Sequence, residues 1–203
     1  MKAEKRTPRL PAHERRAKTV QAVIELAAGQ NPSEITTTTI AEHMQMTQGA
    51  LFRHFPTKDA IWQAVMEWVA ERILARVDAA AKSSPSPLAG LSAVFDAHID
   101  FVVKHPGVPR ILFGELQRTE DSPAKRAVRT LLWQYNGRLQ TLIEQGQAQG
   151  EVAPDIDATA VAALFVGMIQ GLVLQSLLDG KTNMRKKSVE VFSIFLCGIR
   201  KTP

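Results

Sequence analysis

The feature that most constrains the fold is a recurring three-and-four spacing of apolar residues. Between Pro11 and Ala28, the residues Ala17, Val20, Val23, Ile24, Ala27 and Ala28 fall at those offsets, which gathers their side chains on one helix face. The same spacing runs through Asp59 to Ala81, Leu88 to Lys104, Val108 to Arg118, Pro123 to Gln149, Asp157 to Leu178 and Asn183 to Arg200. No segment sustains the period of two that a half-buried strand requires. Breakers separate the segments: Gly29 with Asn31-Pro32, Ser83 to Pro87, His105-Pro106-Gly107, Ser122-Pro123, Gly150 to Pro154 and Asp179-Gly180. Each supplies residues that stop one helix or cap the next. The expectation is an all-α chain of about nine helices.

With 203 residues, 45% of them hydrophobic, the chain can fill a sizeable core. Its most apolar run, from Ala160 to Leu178, is interrupted by Gln170, Gln175 and Ser176 and contains Gly167 and Gly171. It reads as a buried or interface helix rather than a bilayer span. No basic start followed by an apolar run and a small-residue cleavage site opens the chain, so a cytoplasmic protein with no membrane partner is expected. The single cysteine, Cys197, excludes an intrachain disulfide and a multi-cysteine zinc site, and reads as a small apolar residue on a helix face. The formal charge of +5 is unevenly placed. Seven basic and two acidic residues lie in the first eighteen positions, whereas the remaining 18 of each sign cancel. A basic arm over residues 1–12 suits a polyanion.

Residues 36–65 carry the chemistry. Thr36 to Thr39 offer hydroxyls that cap a helix start, and Ile40, Ala41 and Met44 make a short apolar stripe. Gln45-Met46 forms a turn, and Thr47 caps a second short helix expected to run through Phe55. This is a helix-turn-helix. In its second helix Ala50, Leu51 and Phe55 can face inward, leaving Thr47, Gln48, Gly49, Arg53 and His54 outward. Gln48 could read a base edge in the major groove, and Thr47 could reach a base or phosphate. Gly49 permits close approach. Arg53, His54 and Lys58 could hold phosphates, which sets register without reading sequence.

The ordered set Thr37, Thr38, Ile40, Ala41, Met46, Thr47, Gly49, Leu51, Phe52, His54, Phe55, Lys58 and Ile61 resembles the signature of the tetracycline-repressor (TetR) family. Residues 13 to 68 resemble that family's DNA-binding domain. The resemblance implies that Thr38 or Thr39, Phe52, His54 and Lys58 approach the DNA backbone, with Thr47 and Gln48 nearer the bases. Two positions depart from the pattern. Gln45 stands where a turn glycine is usual, and a left-handed backbone there costs roughly 1 kcal/mol more than with glycine. Phe52 replaces the commoner tyrosine and lacks its hydroxyl, a contact that Arg53 could supply.

The resemblance is weaker beyond residue 70, resting on helix number, helix length and the segment HPGVPRILFGEL. It implies a division into the arm, a DNA-binding domain over 13–58 and a ligand-binding and dimerisation domain over 59–203, with the helix from Asp59 as the link between them. A ligand cavity is expected among the middle helices. Trp62, Met66, Phe95, His98, Phe101, Phe113, Trp133, Phe165 and Met168 are available to line it, or to make ordinary core. The last two long helices are expected to form a four-helix bundle with a second copy, through Val161, Leu164, Gly171, Leu172, Phe192 and Phe195.

Metal sensing by His98 and His105 lacks a completing ligand, and Pro106 disrupts the geometry; neither metal nor cofactor is expected. No Walker loop, GxSxG elbow or HExxH pair supports an enzyme. The expected function is a regulator, a repressor by family habit, that binds a pseudo-palindromic double-stranded operator as a homodimer and is released by a small, largely apolar effector. The alternative is a helical ligand-binding or interaction protein that does not read DNA.

Overall fold

The computed structural model describes residues 11–179 and 184–201. Most of the basic arm, residues 1–10, therefore lies outside the described residues, as do Gly180 and the expected helix start at Asn183. Nine α-helices form among the described residues. They are α1 (Ala12–Gly29), α2 (Thr37–His43), α3 (Gln48–Phe52), α4 (Lys58–Lys82), α5 (Pro87–Lys104), α6 (Gly107–Gln117), α7 (Pro123–Ala148), α8 (Ala158–Asp179) and α9 (Met184–Ile199), with a 3-10 turn at Pro32–Glu34.

Side-chain oxygens start most of these helices where the sequence places them. Thr36, Thr47, Thr57, Ser86 and Ser122 each accept the backbone N–H three residues on, at 3.0, 3.2, 3.1, 3.4 and 3.0 Å. Each such cap is worth about 1 kcal/mol. Pro87 and Pro123 occupy first-turn positions of α5 and α7, where no N–H is needed. Helix α3 stops at Phe52, three residues short of expectation. Phe55 precedes Pro56, whose ring disfavours helical backbone at the residue before it.

Helices α1 to α3 close around Val23, Ile24, Ile40, Leu51 and Phe55, all buried. From this head, α4 runs into the rest of the chain and packs against α5 and α7; α7 packs on α8, and α9 on α8 and α5. The buried residues of the head and of the larger part form one contiguous core. The loop after α7 is stapled to the end of α9 by backbone bonds, from Ala153 N–H to the Ile199 carbonyl at 2.9 Å and from Lys201 N–H to the Glu151 carbonyl at 3.2 Å.

One crossing positions the head. The start of α6 lies on α1 so closely that a Cβ at Gly107 would sit 2.0 Å from the Ile24 carbonyl oxygen and 2.9 Å from the Ala28 nitrogen. Only glycine allows this approach, because the atoms met are backbone and cannot swing aside.

Candidate nucleic-acid interface and effector cavity

The turn between α2 and α3 is made by Gln45 in the left-handed region, at φ 53°, with its neighbour Met46 donating to the Ala41 carbonyl at 2.9 Å. Around this turn Thr38, Thr47, Gln48, Gly49, Phe52 and Arg53 are exposed, and Thr39, His54 and Lys58 are half-buried. Gln48 is not free to wander: its Nε2 donates to Thr37 Oγ1 at 2.7 Å, leaving its oxygen available. No atom lies within 4 Å of a Cβ built on Gly49. Arg16 anchors the end of this surface to α1, donating to the His54 carbonyl at 2.7 Å and lying 4.3 Å over the Phe55 ring. Arg53 has no hydrogen-bond or ion-pair partner among the described residues.

Lys58 begins α4 at the junction of the head and the larger part. Its ammonium lies 5.6 Å from the centre of the Trp62 ring, and burial, with the Arg118 charge, lowers its pKa. Arg118, at the end of α6, reaches Asp59 at 3.3 Å, Glu115 at 3.5 Å and Glu120 at 3.4 Å. The buried Glu115 also accepts the Ser122 hydroxyl at 2.7 Å. Thus the first turn of α4, the last turn of α6 and the start of α7 are joined by one charged knot.

A cavity of about 80 Å³ lies among α4, α5, α6, α7 and α8. Its wall is almost wholly aliphatic and aromatic, including Val69, Ile73, Leu112, Leu132 and Ile169. The polar exceptions are Gln170 and a bonded pair, His98 Nδ1 and the Tyr135 hydroxyl at 2.8 Å. His98 keeps some accessible surface because it faces the cavity, yet protein surrounds it, and burial lowers its pKa to about 4. Burial likewise raises the Tyr135 pKa. Both groups are neutral near pH 7.

Of the nine side chains expected to line a cavity, the structure brings His98, Phe101 and Phe113 together there. The others are corrected. Trp133 is 77% exposed: Leu131, Leu132 and Tyr135 turn inward, and the helical period carries Trp133 to the opposite face. Trp62 lines an open polar cleft beside Lys58 and Arg118. Met66 is fully buried in the core, and Met168 packs against the core away from the cavity. Phe95 and Phe165 belong to an aromatic cluster with Phe192 and Phe195, which were expected on a dimer face. Phe95 stacks on Phe192 at 4.3 Å, and Phe165 meets Phe95 edge-on at 5.5 Å and Phe195 at 5.8 Å. These four rings seal α5, α8 and α9 within a single chain. Val161 and Leu172 are buried there too, so a second copy cannot pack on them. Tyr135, Gln170 and the α6 residues Val108, Pro109 and Leu112 were missed. Only the heading of Tyr135 toward His98, a tertiary fact, marks it out.

Two family models match the chain, and together they cover more than half of it: "Bacterial regulatory proteins, tetR family" over residues 20–65 and "Tetracyclin repressor-like, C-terminal domain" over residues 112–192. The chain belongs to the TetR family. It is accordingly a DNA-binding regulator, whose partners are operator DNA, a second copy of itself and a small-molecule effector. Among curated relatives, the nucleoid occlusion factor SlmA of Aliivibrio fischeri (strain MJ11) is 25% identical over 166 residues, covering 81% of this chain and 84% of that protein. Among solved structures, the ketosteroid transcriptional regulator KstR2 of Mycobacterium tuberculosis superposes with a TM-score of 0.78 at 21% identity, covering 93% of this chain and 96% of that one. The regulator FadR of Bacillus subtilis, solved in complex with stearoyl-CoA, gives 0.80 at 17% identity, covering 91% and 99%.

Among the described residues, α8 and α9 leave an apolar face uncovered. On α8, Leu164, Gly167, Gly171, Leu174 and Leu178 follow one another at three and four residues, and Leu164, Leu174 and Leu178 are 55, 54 and 77% exposed. Helix α9 adds exposed Val189 and Ile194. By length and mean hydropathy, 2.0, the Ala158–Leu178 segment is long and apolar enough to cross a membrane, and a third of its most apolar stretch is buried in the chain. The stripe spacing is that of a helix-packing seam, and the glycines lower it so that another helix can approach.

Proposed function

We propose that this TetR-family chain is a cytoplasmic repressor that acts without catalysis, gripping a pseudo-palindromic operator as a homodimer and letting go when a largely apolar effector fills the α4–α8 cavity. In this reading Thr47, Gln48 and Gly49 face the base edges, while Thr38, Thr39, Arg53, His54 and Lys58 contact phosphates. Domain division follows the same lines: a reading head up to residue 58 and an effector and dimerisation part from residue 59. The dimer seam uses the exposed stripe of Leu164, Gly167, Gly171, Leu174 and Leu178 together with Val189 and Ile194, in place of the buried residues named above.

The observation that carries this reading is the double role of α6. Val108, Pro109, Leu112 and Phe113 line the cavity, and Gly107, one residue before them, rests on the α1 backbone. An effector that pushes α6 outward must also shift α1 and with it the head. The helix at Asp59 is a second link through the Arg118 knot. A ligand shifts the equilibrium only by its differential affinity for the two head spacings; the tight cavity supplies that difference, because occupancy requires it to expand. The test is selection of bound fragments from random DNA, followed by release of the selected site on titration with candidate apolar compounds. Absence of any selected motif would remove the operator reading.

A second reading follows from the 25% identity to SlmA: a role in nucleoid occlusion rather than control of a promoter. The apolar cavity coupled to α1 favours the effector-controlled repressor. Mapping of bound sites along the chromosome separates one or a few promoters from sites elsewhere.

A further inference from the structure

The internal cavity does not end at its aliphatic wall. Phe113 and Gln170 belong both to that wall and to an open groove of about 770 Å³ on the far side, between α6, α8 and the 3-10 turn of the head. They form the partition between the two spaces. The groove differs from the cavity in chemistry. It carries Arg110, half-buried, with the amides of Asn31, Gln117 and Gln170. Among the described residues the Arg110 guanidinium has no hydrogen bond, ion pair or ring contact. The carboxylates of the adjoining cleft, Asp59 and Glu115, are held by Arg118 at 3.3 and 3.5 Å.

Charge is therefore segregated along one path. Inside the partition, the His98–Tyr135 pair satisfies itself and is uncharged, so an ionised head buried there would lack a counterion and lose its hydration. Outside, a half-desolvated guanidinium with a planar fork of donors awaits an oxyanion. We propose that the effector is an anionic amphiphile: an alkyl or acyl tail passes between Phe113 and Gln170 into the cavity, and a carboxylate or phosphate head rests on Arg110. This deepens, and rests on, the reading of the cavity as the effector site. The head would lie against Asn31 and Pro32 of the reading head, which places the ligand's charge at the junction that must move. Residues Gly167, Gly171 and Leu174 line the groove and also belong to the proposed dimer seam, so a second copy would complete the α8 side of the groove's wall.

The test is calorimetric titration of the full-length protein with dodecanoate, dodecyl phosphate and dodecanol, each below its micelle concentration. Wild type is expected to bind at least one anion tenfold or more tightly than dodecanol; which anion it prefers distinguishes a free acid from a phosphate-headed ligand. Arg110→Gln should bring the anions to within about twofold of dodecanol while leaving dodecanol binding intact, and Arg110→Lys should restore part of the gap. Phe113→Trp should weaken all three by narrowing the shared passage. Equal binding of the three by wild type, a preference that survives Arg110→Gln, or no binding by any of them overturns the proposal. None of these results touches the operator reading, which is decided by wild-type binding to selected DNA without any amphiphile present.

Discussion

At Gln45 a side chain occupies a backbone conformation that costs an L-residue roughly 1–2 kcal/mol, and the observed φ of 53° shows that this chain accepts the cost. Gln45→Gly should raise the unfolding free energy by about 0.5–1 kcal/mol, less than the full strain because glycine also loosens the unfolded chain; a urea melt reads this directly, and no gain would mean the strain is relieved elsewhere. A second residue-scale consequence concerns His98. Its folded pKa, about 4, lies below the unfolded value of 6.5, so the unfolded chain takes up a proton that the folded chain refuses. Stability is unaffected above pH 6.5 and falls as pH drops from 6.5 toward 4, by about 3 kcal/mol at most. His98→Gln, compared with wild type in urea melts at pH 7 and 4.5, should lose less stability on acidification. Equal losses would place the acid sensitivity in other groups.

At the scale of elements, the contact that matters is α6 on α1. Gly107→Ala drives a methyl into the Ile24 carbonyl, so α6 must withdraw from α1 at an overpacking cost of about 1–3 kcal/mol. The expected outcome is a folded dimer whose operator affinity falls tenfold or more without ligand, as measured by fluorescence anisotropy. Unchanged affinity would show that the head moves independently of α6, leaving α4 as the link. The sequence displayed the glycine in HPGVPRILFGEL; which backbone it touches depends on how α1 and α6 cross.

At the scale of the whole molecule, two recognition helices must meet one face of a duplex about 34–36 Å apart, which a single chain cannot do. Gly171→Arg places a cation in the middle of the exposed α8 stripe. Burial of that charge against a second copy should cost several kcal/mol of association, so sedimentation should show monomers that keep the helical spectrum and lose specific binding. A variant that stays dimeric would move the seam to another face. Electrostatics act at this scale too. With about three charged contacts per half-site, the logarithmic salt slope should be roughly −5 for the dimer. Arg53→Ala should flatten it by about 2, one contact in each chain, without altering the preferred sequence; a slope that does not move would take Arg53 off the DNA.

Helix number, most helix ends and the helix-turn-helix were legible in the chain because their causes are local. A threonine caps the amide three residues on whether or not the rest of the molecule is present, and apolar residues three and four apart share a face in any helix. For the same reason the exposed set around Thr47, Gln48 and Arg53 could be read from one short amphipathic segment. The part beyond α3 was less readable. Phe95, Phe165, Phe192 and Phe195 have the spacing of core, cavity and seam alike, and Trp133 differs from Leu131 only in the direction its helix turns. Which apolar face is closed by the chain, which is left for a second copy and which encloses empty space depends on the crossing of five helices far apart in sequence. That was decided by tertiary packing, since burial is a property of neighbours and periodicity is a property of one helix.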